Sequence, residues 1–208
     1  FLAGALFRFG LPVLGAWTQQ AFGLSLAPWY NLADALLACL SPMFVAMASA
    51  FLILEERDEG ITGFYQVSPA AGPVKRPARL GLPMVWGFVS TLLALGLFAL
   101  SAPSWGTVLA VTTASTLAGL VTAMLVVCFA QNRVEGLALS KMLGISYVGL
   151  LFVWFIPAPY TRFAAFLPSY WIGAIMRQGA SWGNVLPAVF VGGVWLALFL
   201  RRFLRRAG

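Results

Sequence analysis

Long uncharged apolar runs, separated by short charged or proline-rich stretches, set the pattern of this chain. Several approach the roughly twenty residues that an α-helix needs to cross a bilayer. The run from Asn31 to Leu54 carries only Asp34 and then stops at Glu55-Glu56-Arg57-Asp58-Glu59-Gly60, which holds four of the six acidic residues. A charge at the bilayer centre costs about 2.5–3.5 kcal/mol, so this knot marks where a spanning helix enters water. The same pattern predicts six spans within a single transmembrane domain over 1–208, at about 1–20, 31–54, 82–102, 107–130, 142–156 and 185–200. Between them lie a polar connector over 55–80, with Pro69, Pro73, Pro77, Lys75, Arg76 and Arg79, and an aromatic segment over 158–184 around Pro168. Within the first, Ile61 to Val67 is apolar enough for a short helix stopped by Ser68-Pro69. The second is too long for a turn and too aromatic to float in water, which predicts short helices dipping into the membrane interface.

Within the spans, a few residues break the apolar rule. Arg8 is either a functional cation at lipid depth or a side chain that faces a polar interhelix space or snorkels. Asn31 is expected to cap the second span, with Asp34 three residues on either bonding back to that helix's own free amides or serving a substrate or ion. Ser41-Pro42 predicts a kink, the freed carbonyl being taken by the serine hydroxyl or by a neighbouring helix. Thr112, Ser115, Gly119 and Thr122 share one face of the fourth span, a small-residue stripe that favours close helix packing over a solute path.

Composition agrees with this picture. The chain is 61% hydrophobic and 9% charged, with a mean hydropathy of +0.90, whereas an ordinary soluble domain is roughly 25% charged. The runs are apolar on both faces, which argues for an all-α polytopic membrane protein and against a β-barrel of alternating strands. There is no histidine, Cys39 and Cys128 stand alone in apolar runs as small buried hydrophobes, and no phosphate-cradling glycine motif is present. The residues therefore point to no metal site, disulfide or nucleotide site on this chain. The sequence opens on Phe1 without a basic flank, so its first run is not read as a signal peptide and further residues are expected upstream.

Charge sets the orientation. With six spans, ten basic residues (Arg57, Lys75, Arg76, Arg79, Arg133, Lys141, Arg201, Arg202, Arg205 and Arg206) fall on one side, and Arg162 and Arg177 on the other. The positive-inside rule places the ten in the cytoplasm. Trp17, Trp29, Trp105, Trp154, Trp171 and Trp182 then form a belt at the outer boundary. The net charge of +7 is accounted for by topology and anionic membrane lipid, not by nucleic acid.

Three stretches carry a family resemblance. Leu52-Ile-Leu-Glu-Glu-Arg-Asp-Glu-Gly60 followed by Val67-Ser-Pro69 resembles the segment after the second span in permease subunits of ABC-2 type exporters. Phe129-Ala-Gln-Asn-Arg-Val-Glu-Gly-Leu-Ala-Leu-Ser-Lys141 and Leu167-Pro-Ser-Tyr-Trp171 are similar to signatures of a narrower group, the fluoroquinolone-type export permeases. The resemblance implies a six-helix half-transporter of the type V exporter class, with a short cytoplasmic coupling helix and external re-entrant helices. It also implies a bacterial cytoplasmic membrane location, pairing with a second permease copy or a homologous permease, and two separate cytoplasmic ABC ATPase subunits that hold the ATP and Mg. The exported solute would be hydrophobic or amphipathic, such as a drug or a lipid. ATPase coupling would fall to Glu55, Glu56, Arg57, Asp58, Glu59, Gly60, Phe64, Tyr65 and Val67. Asn132, Arg133, Glu135 and Lys141 would form the second cytoplasmic connector, and Pro168, Tyr170 and Trp171 the external segment.

Two other classes compete. A membrane-embedded lipid-modifying enzyme would use Asp34, Glu135 or the Glu55 cluster as acid or base. The lack of histidine, and the gathering of carboxylates at one edge, count against it. A non-transporting membrane anchor would use the charged connectors only to dock a partner.

Overall fold

The computed structural model describes residues 2–60, 75–157 and 159–207, and every regular element among them is helical. Phe64, Tyr65 and Val67, and with them the short helix expected over 61–67, lie outside the described residues. Among those described, five helices are long and apolar enough to cross a membrane: Ala27–Asp58, Gly81–Phe98, Trp105–Phe129, Arg133–Phe155 and Trp182–Arg202. One end of the resulting bundle carries the charged connectors. The other, with Trp29, Trp105 and Trp182, is called the aromatic end below.

The span expected over 1–20 is not among the five. It is helical in three pieces: α1 (Leu2–Ala5), a π-helical turn at Leu6–Gly10, and α2 (Leu11–Phe22). Pro12 explains the break, because it has no amide for the carbonyl four residues back and its ring crowds that carbonyl; a wider turn relieves both. This stretch touches the ends of other helices: a Cβ on Gly4 would strike the Phe98 ring, and one on Gly15 would lie 3.4 Å from the Tyr30 hydroxyl.

Helix α3 (Tyr30–Asp58) runs without interruption past Pro42. The Ser41 hydroxyl does not serve its own helix. It donates to Ser90 Oγ at 2.8 Å, and Ser90 donates to the Gly87 carbonyl, so the polar residue beside the proline ties α3 to α4 (Lys75–Phe98). The latter starts seven residues before the expected 82 and ends at Phe98, not 102, so residues 75–80 of the expected connector are helical. Pro77 permits this because it lies in the first turn, where amides have no intrahelical partner.

Helix α5 (Trp105–Phe129) is the centre of the bundle and is buried almost all round. Ser104 caps it, its hydroxyl accepting from the Thr107 amide at 3.3 Å. Thr112, Ser115, Gly119 and Thr122 are all buried, and a Cβ on Gly119 would sit 2.9 Å from the Pro42 carbonyl oxygen. Gly119 of the small stripe thus lets α5 close on the proline turn of α3, while the Thr122 hydroxyl lies 3.5 Å from that of Tyr147. Ala35, Ala38, Val111, Ala114 and Ala118 continue that seam toward the aromatic end, and Ala46, Ala50, Leu54, Val126 and Val127 toward the charged end.

The span expected over 142–156 is longer than its apolar core. Helix α6 (Arg133–Met142), a 3-10 turn at Leu143–Tyr147 and α7 (Val148–Phe155) form one rod, so the second connector is itself its first turns. Beyond it, a 3-10 segment (Tyr160–Phe166) descends into the bundle and α8 (Pro168–Gln178) returns, with Pro168 in its first turn as the break. The tip goes deep: Trp195, thirteen residues along α9 (Trp182–Ala207), donates its indole N–H to the Phe166 carbonyl at 2.8 Å. At 1.5 Å per residue that is about 20 Å below the start of α9. The Ser169 hydroxyl donates to Ser146 O at 2.6 Å, inside the 3-10 turn of the neighbouring rod, and Trp171 Nε1 to Ala165 O at 2.8 Å. Irregular backbone among spanning helices needs such protein partners, because lipid supplies none.

Candidate functional site

Leu54 is fully buried, and the next residues of α3 emerge among polar neighbours. The helix stops where Gly60 takes φ 68°, a left-handed conformation that glycine adopts without Cβ strain. Its last turn faces the end of α5. Arg57 Nη1 donates to the carbonyls of Val127 at 2.8 Å and Ala130 at 3.3 Å. A cation on the last carbonyls of a helix satisfies orphan acceptors and meets the negative end of the helix dipole.

The start of α6 is built in the complementary sense. Asn132 Oδ1 accepts from the Glu135 amide at 2.8 Å, and Glu135 Oε2 accepts from the Gln131 amide at 2.7 Å, a reciprocal cap with an acid at the positive helix end. Two contacts join this cap to α3: Arg133 Nη1 lies 3.1 Å from Glu55 Oε1, and the Arg133 amide donates to Asp58 Oδ2 at 3.0 Å. The ion pair is 52% and 34% exposed, so it contributes at most about 1 kcal/mol and serves mainly to fix register. Close packing backs it, since a Cβ on Gly136 would lie 2.5 Å from Leu54 Cδ1.

Glu55, Arg57, Asp58, Asn132, Arg133 and Glu135 therefore meet at one junction, where the ends of α3 and α5 and the start of α6 are tied together. Glu59 is exposed beside it, and Lys141 is exposed further along, in the last turn of α6. Glu56 lies in the same final turn of α3 as Arg57. Pro168, Tyr170 and Trp171 do not join it; they belong to the hairpin of the 3-10 segment and α8. The aromatic contribution was missed in the sequence. The Arg202 guanidinium stands 4.5 Å from the centroid of the Phe129 ring, and Phe199 packs edge-on to that ring, so the basic tail is seated on the last residue of α5. The signal available was an arginine pair directly after an apolar run, which read only as topology.

At the aromatic end, the expected cap of α3 is not made. The helix begins at Tyr30 without a side-chain cap, so Asn31 does not cap it. Asp34, fully buried, turns instead to the loop after α4. Its Oδ1 accepts from the Leu100 amide at 2.8 Å, and its Oδ2 from the Ser101 amide at 2.8 Å and hydroxyl at 2.5 Å. Arg8 Nη1 donates to the Ala99 carbonyl of the same loop at 2.5 Å. Both intramembrane charges that the sequence left open thus act on one turn, with Asp34 held as a structural acceptor.

Long apolar helices with the charged linkers gathered at one end define a multi-pass membrane protein. The family described as "Fluoroquinolones export permease protein Rv2686c-like" matches residues 1–204, and the chain belongs to that family. Among its curated relatives are the Fluoroquinolones export permease proteins MT2760 and Rv2686c, from Mycobacterium tuberculosis strains CDC 1551 and H37Rv. Each is 25% identical over 187 residues, covering 88% of this chain and 74% of the relative. No solved structure matches the chain.

Proposed function

We propose that this chain is the permease subunit of an ATP-driven ABC-2 type exporter in the bacterial cytoplasmic membrane, moving a hydrophobic or amphipathic solute outward. In this reading, ATP and Mg are held by separate cytoplasmic ABC ATPase subunits, and a second permease copy or a homologous permease completes the pathway. The observation that carries the proposal is the junction of Glu55, Arg57 and Asp58 with Asn132, Arg133 and Glu135. It binds the ends of two long helices and the start of a third into one surface, so force applied there reaches all three. Glu55 and Asp58 are used within the chain, on Arg133, and a partner is therefore met by the exposed Glu59 and by Phe64, Tyr65 and Val67 of the adjoining segment. Aromatic anchors of that kind commonly cost about 2 kcal/mol or more of binding when truncated.

The enzyme reading loses support at the same place: Asp34, Glu55, Asp58 and Glu135 accept from backbone amides or face a guanidinium, which makes them fixed acceptors and not a poised acid and base. Three variants test the proposal when expressed with the cognate ATPase in one membrane. Tyr65→Ala should lower the amount of copurified ATPase. Arg133→Gln and Glu55→Gln should leave the complex assembled but lower export per ATP hydrolysed by several-fold. Wild-type recovery, turnover and export in all three would reduce the junction to a polar helix end.

A further inference from the structure

At the aromatic end, a cavity of about 580 Å³ opens between the end of α7, the residues after it, and α8. Its walls include Trp154, Phe155, Thr161 and Tyr170, and its polar groups include Arg177 and Gln178. Tyr170 and Arg177 lie seven residues apart on α8, hence on one face and about 10 Å apart along the helix axis. Tyr170 sits near the tip of the hairpin, deep along the bundle, while Arg177 and Gln178 occupy its exposed last turn. The cavity therefore runs from a cationic rim, with Phe155 beside it, to the Trp154 ring, which reaches Gly173, and Tyr170 below.

The rim has donors to spare. Arg177 uses Nη1 on the Val153 carbonyl, which orients the guanidinium, and a guanidinium carries five N–H donors. Gln178 Oε1 accepts from Asn184 Nδ2 at 3.3 Å, which leaves the Gln178 amide nitrogen as a donor. Among the described residues no carboxylate lines the cavity. Five of the six acidic residues lie at the opposite end of the bundle, and the oxygens of the sixth, Asp34, are engaged by Leu100 and Ser101. An open cavity with a cation at its mouth, no acidic partner and aromatic walls below suits a molecule of matching polarity.

We propose that this cavity binds an amphiphile by its anionic head, a carboxylate or phosphate oxyanion held by Arg177 and Gln178, with its apolar body against Trp154 and Tyr170. The proposal is independent of the exporter reading, since a membrane lipid and a departing solute would be held by the same chemistry. Guanidinium is the side chain whose planar donors match an oxyanion bidentately, and an aromatic floor accepts apolar bodies with little selection.

The test uses the full chain in phosphatidylcholine nanodiscs and a dodecanoate carrying a photoreactive diazirine at its chain end, with labelled peptides mapped by mass spectrometry. Labelling should fall on the peptides bearing Trp154 and Tyr170 and be competed by dodecyl phosphate. Arg177→Gln should weaken it about tenfold, the worth of one good charged contact, and Arg177→Lys should retain most of it. Thr161→Trp, which keeps the cation and fills the cavity, should abolish it. Adding phosphatidylglycerol to the nanodiscs identifies the source: competition in the unmodified chain assigns the site to a membrane lipid, and its lack to a solute. The proposal is overturned if Arg177→Gln labels like the unmodified chain, if dodecanol competes as well as dodecyl phosphate, or if inorganic phosphate competes alone.

Discussion

The peptide unit between Ala99 and Leu100 is gripped from both sides, its carbonyl by Arg8 and its amide by Asp34. The turn it belongs to is demanding: Ala102 has φ 47°, a region that a residue with a Cβ rarely adopts, and Pro103 follows. Asp34 supplies what such a turn lacks, acceptors for two consecutive amides in a buried place. Asp34→Ala leaves the Leu100 and Ser101 amides unpaired, each at a cost of about 1–3 kcal/mol. The thermal midpoint of the purified protein should fall clearly, and by less for Asp34→Asn, which keeps one acceptor. Arg8→Gln should shift it least, because Arg8 is exposed and a carbonyl tolerates a missing partner better than an amide does. An Asp34→Ala protein as stable as its parent would show that the turn stands without the clamp. The sequence could flag Asp34 and Arg8 as anomalous but not pair them with this loop. Their partners lie 66 and 91 positions away, whereas helix-cap rules reach only three or four.

Helix existence follows from apolar runs, but helix ends do not, because a spanning helix continues into water wherever its polar turns can be capped. Lys75 to Leu80 reads as connector by composition yet belongs to α4, and Arg133 to Lys141 reads as connector yet opens the rod to Phe155. That the segment over 158–184 holds short helices was legible from its aromatic content and Pro168, but how deep along the bundle they reach was not. Their depth is set by two polar contacts to distant elements, Ser169 with Ser146 and Trp195 with Phe166, and by glycines that admit them. A Cβ on Gly149 would meet Ser169 Oγ at 2.7 Å, and one on Gly173 would meet the Trp154 ring at 2.9 Å. Trp195→Phe isolates the latch: the ring still stacks on Phe199, while the Phe166 carbonyl loses its donor. An unmade hydrogen bond at depth costs about 1–3 kcal/mol, enough to raise the population of an undocked tip severalfold or more. Ala165→Cys in that background should react faster with a water-soluble maleimide than Ala165→Cys alone. Equal rates would mean that packing by itself holds the tip.

At the scale of the whole molecule, the bases and the aromatics divide the two ends, and α5 with its small residues holds the bundle between them. The motifs at 52–60 and 129–141 carried the family resemblance in the sequence, and the fold brings those same stretches into one junction although about seventy residues separate Arg57 from Ala130. The lipid-facing exterior is equally plain: Leu82, Val85, Trp86, Leu93 and Leu97 of α4 and Leu186, Phe190 and Leu198 of α9 are exposed apolar side chains of the kind a bilayer covers. Orientation is the property that charge decides alone, since nothing in helix packing distinguishes the two sides of a membrane. Ten bases gather with the junction and the tail, against Arg8, Arg162 and Arg177 at the aromatic end, so the junction is expected in the cytoplasm. Cys39 and Cys128 are buried, which leaves a quiet background for single introduced thiols. In intact cells, an impermeant maleimide should label Arg162→Cys and Trp182→Cys and spare Tyr65→Cys and Lys141→Cys until the membrane is opened. Labelling of position 65 or 141 from outside would invert the molecule, place the junction away from any ATPase, and remove the physical basis of the coupling proposed for it.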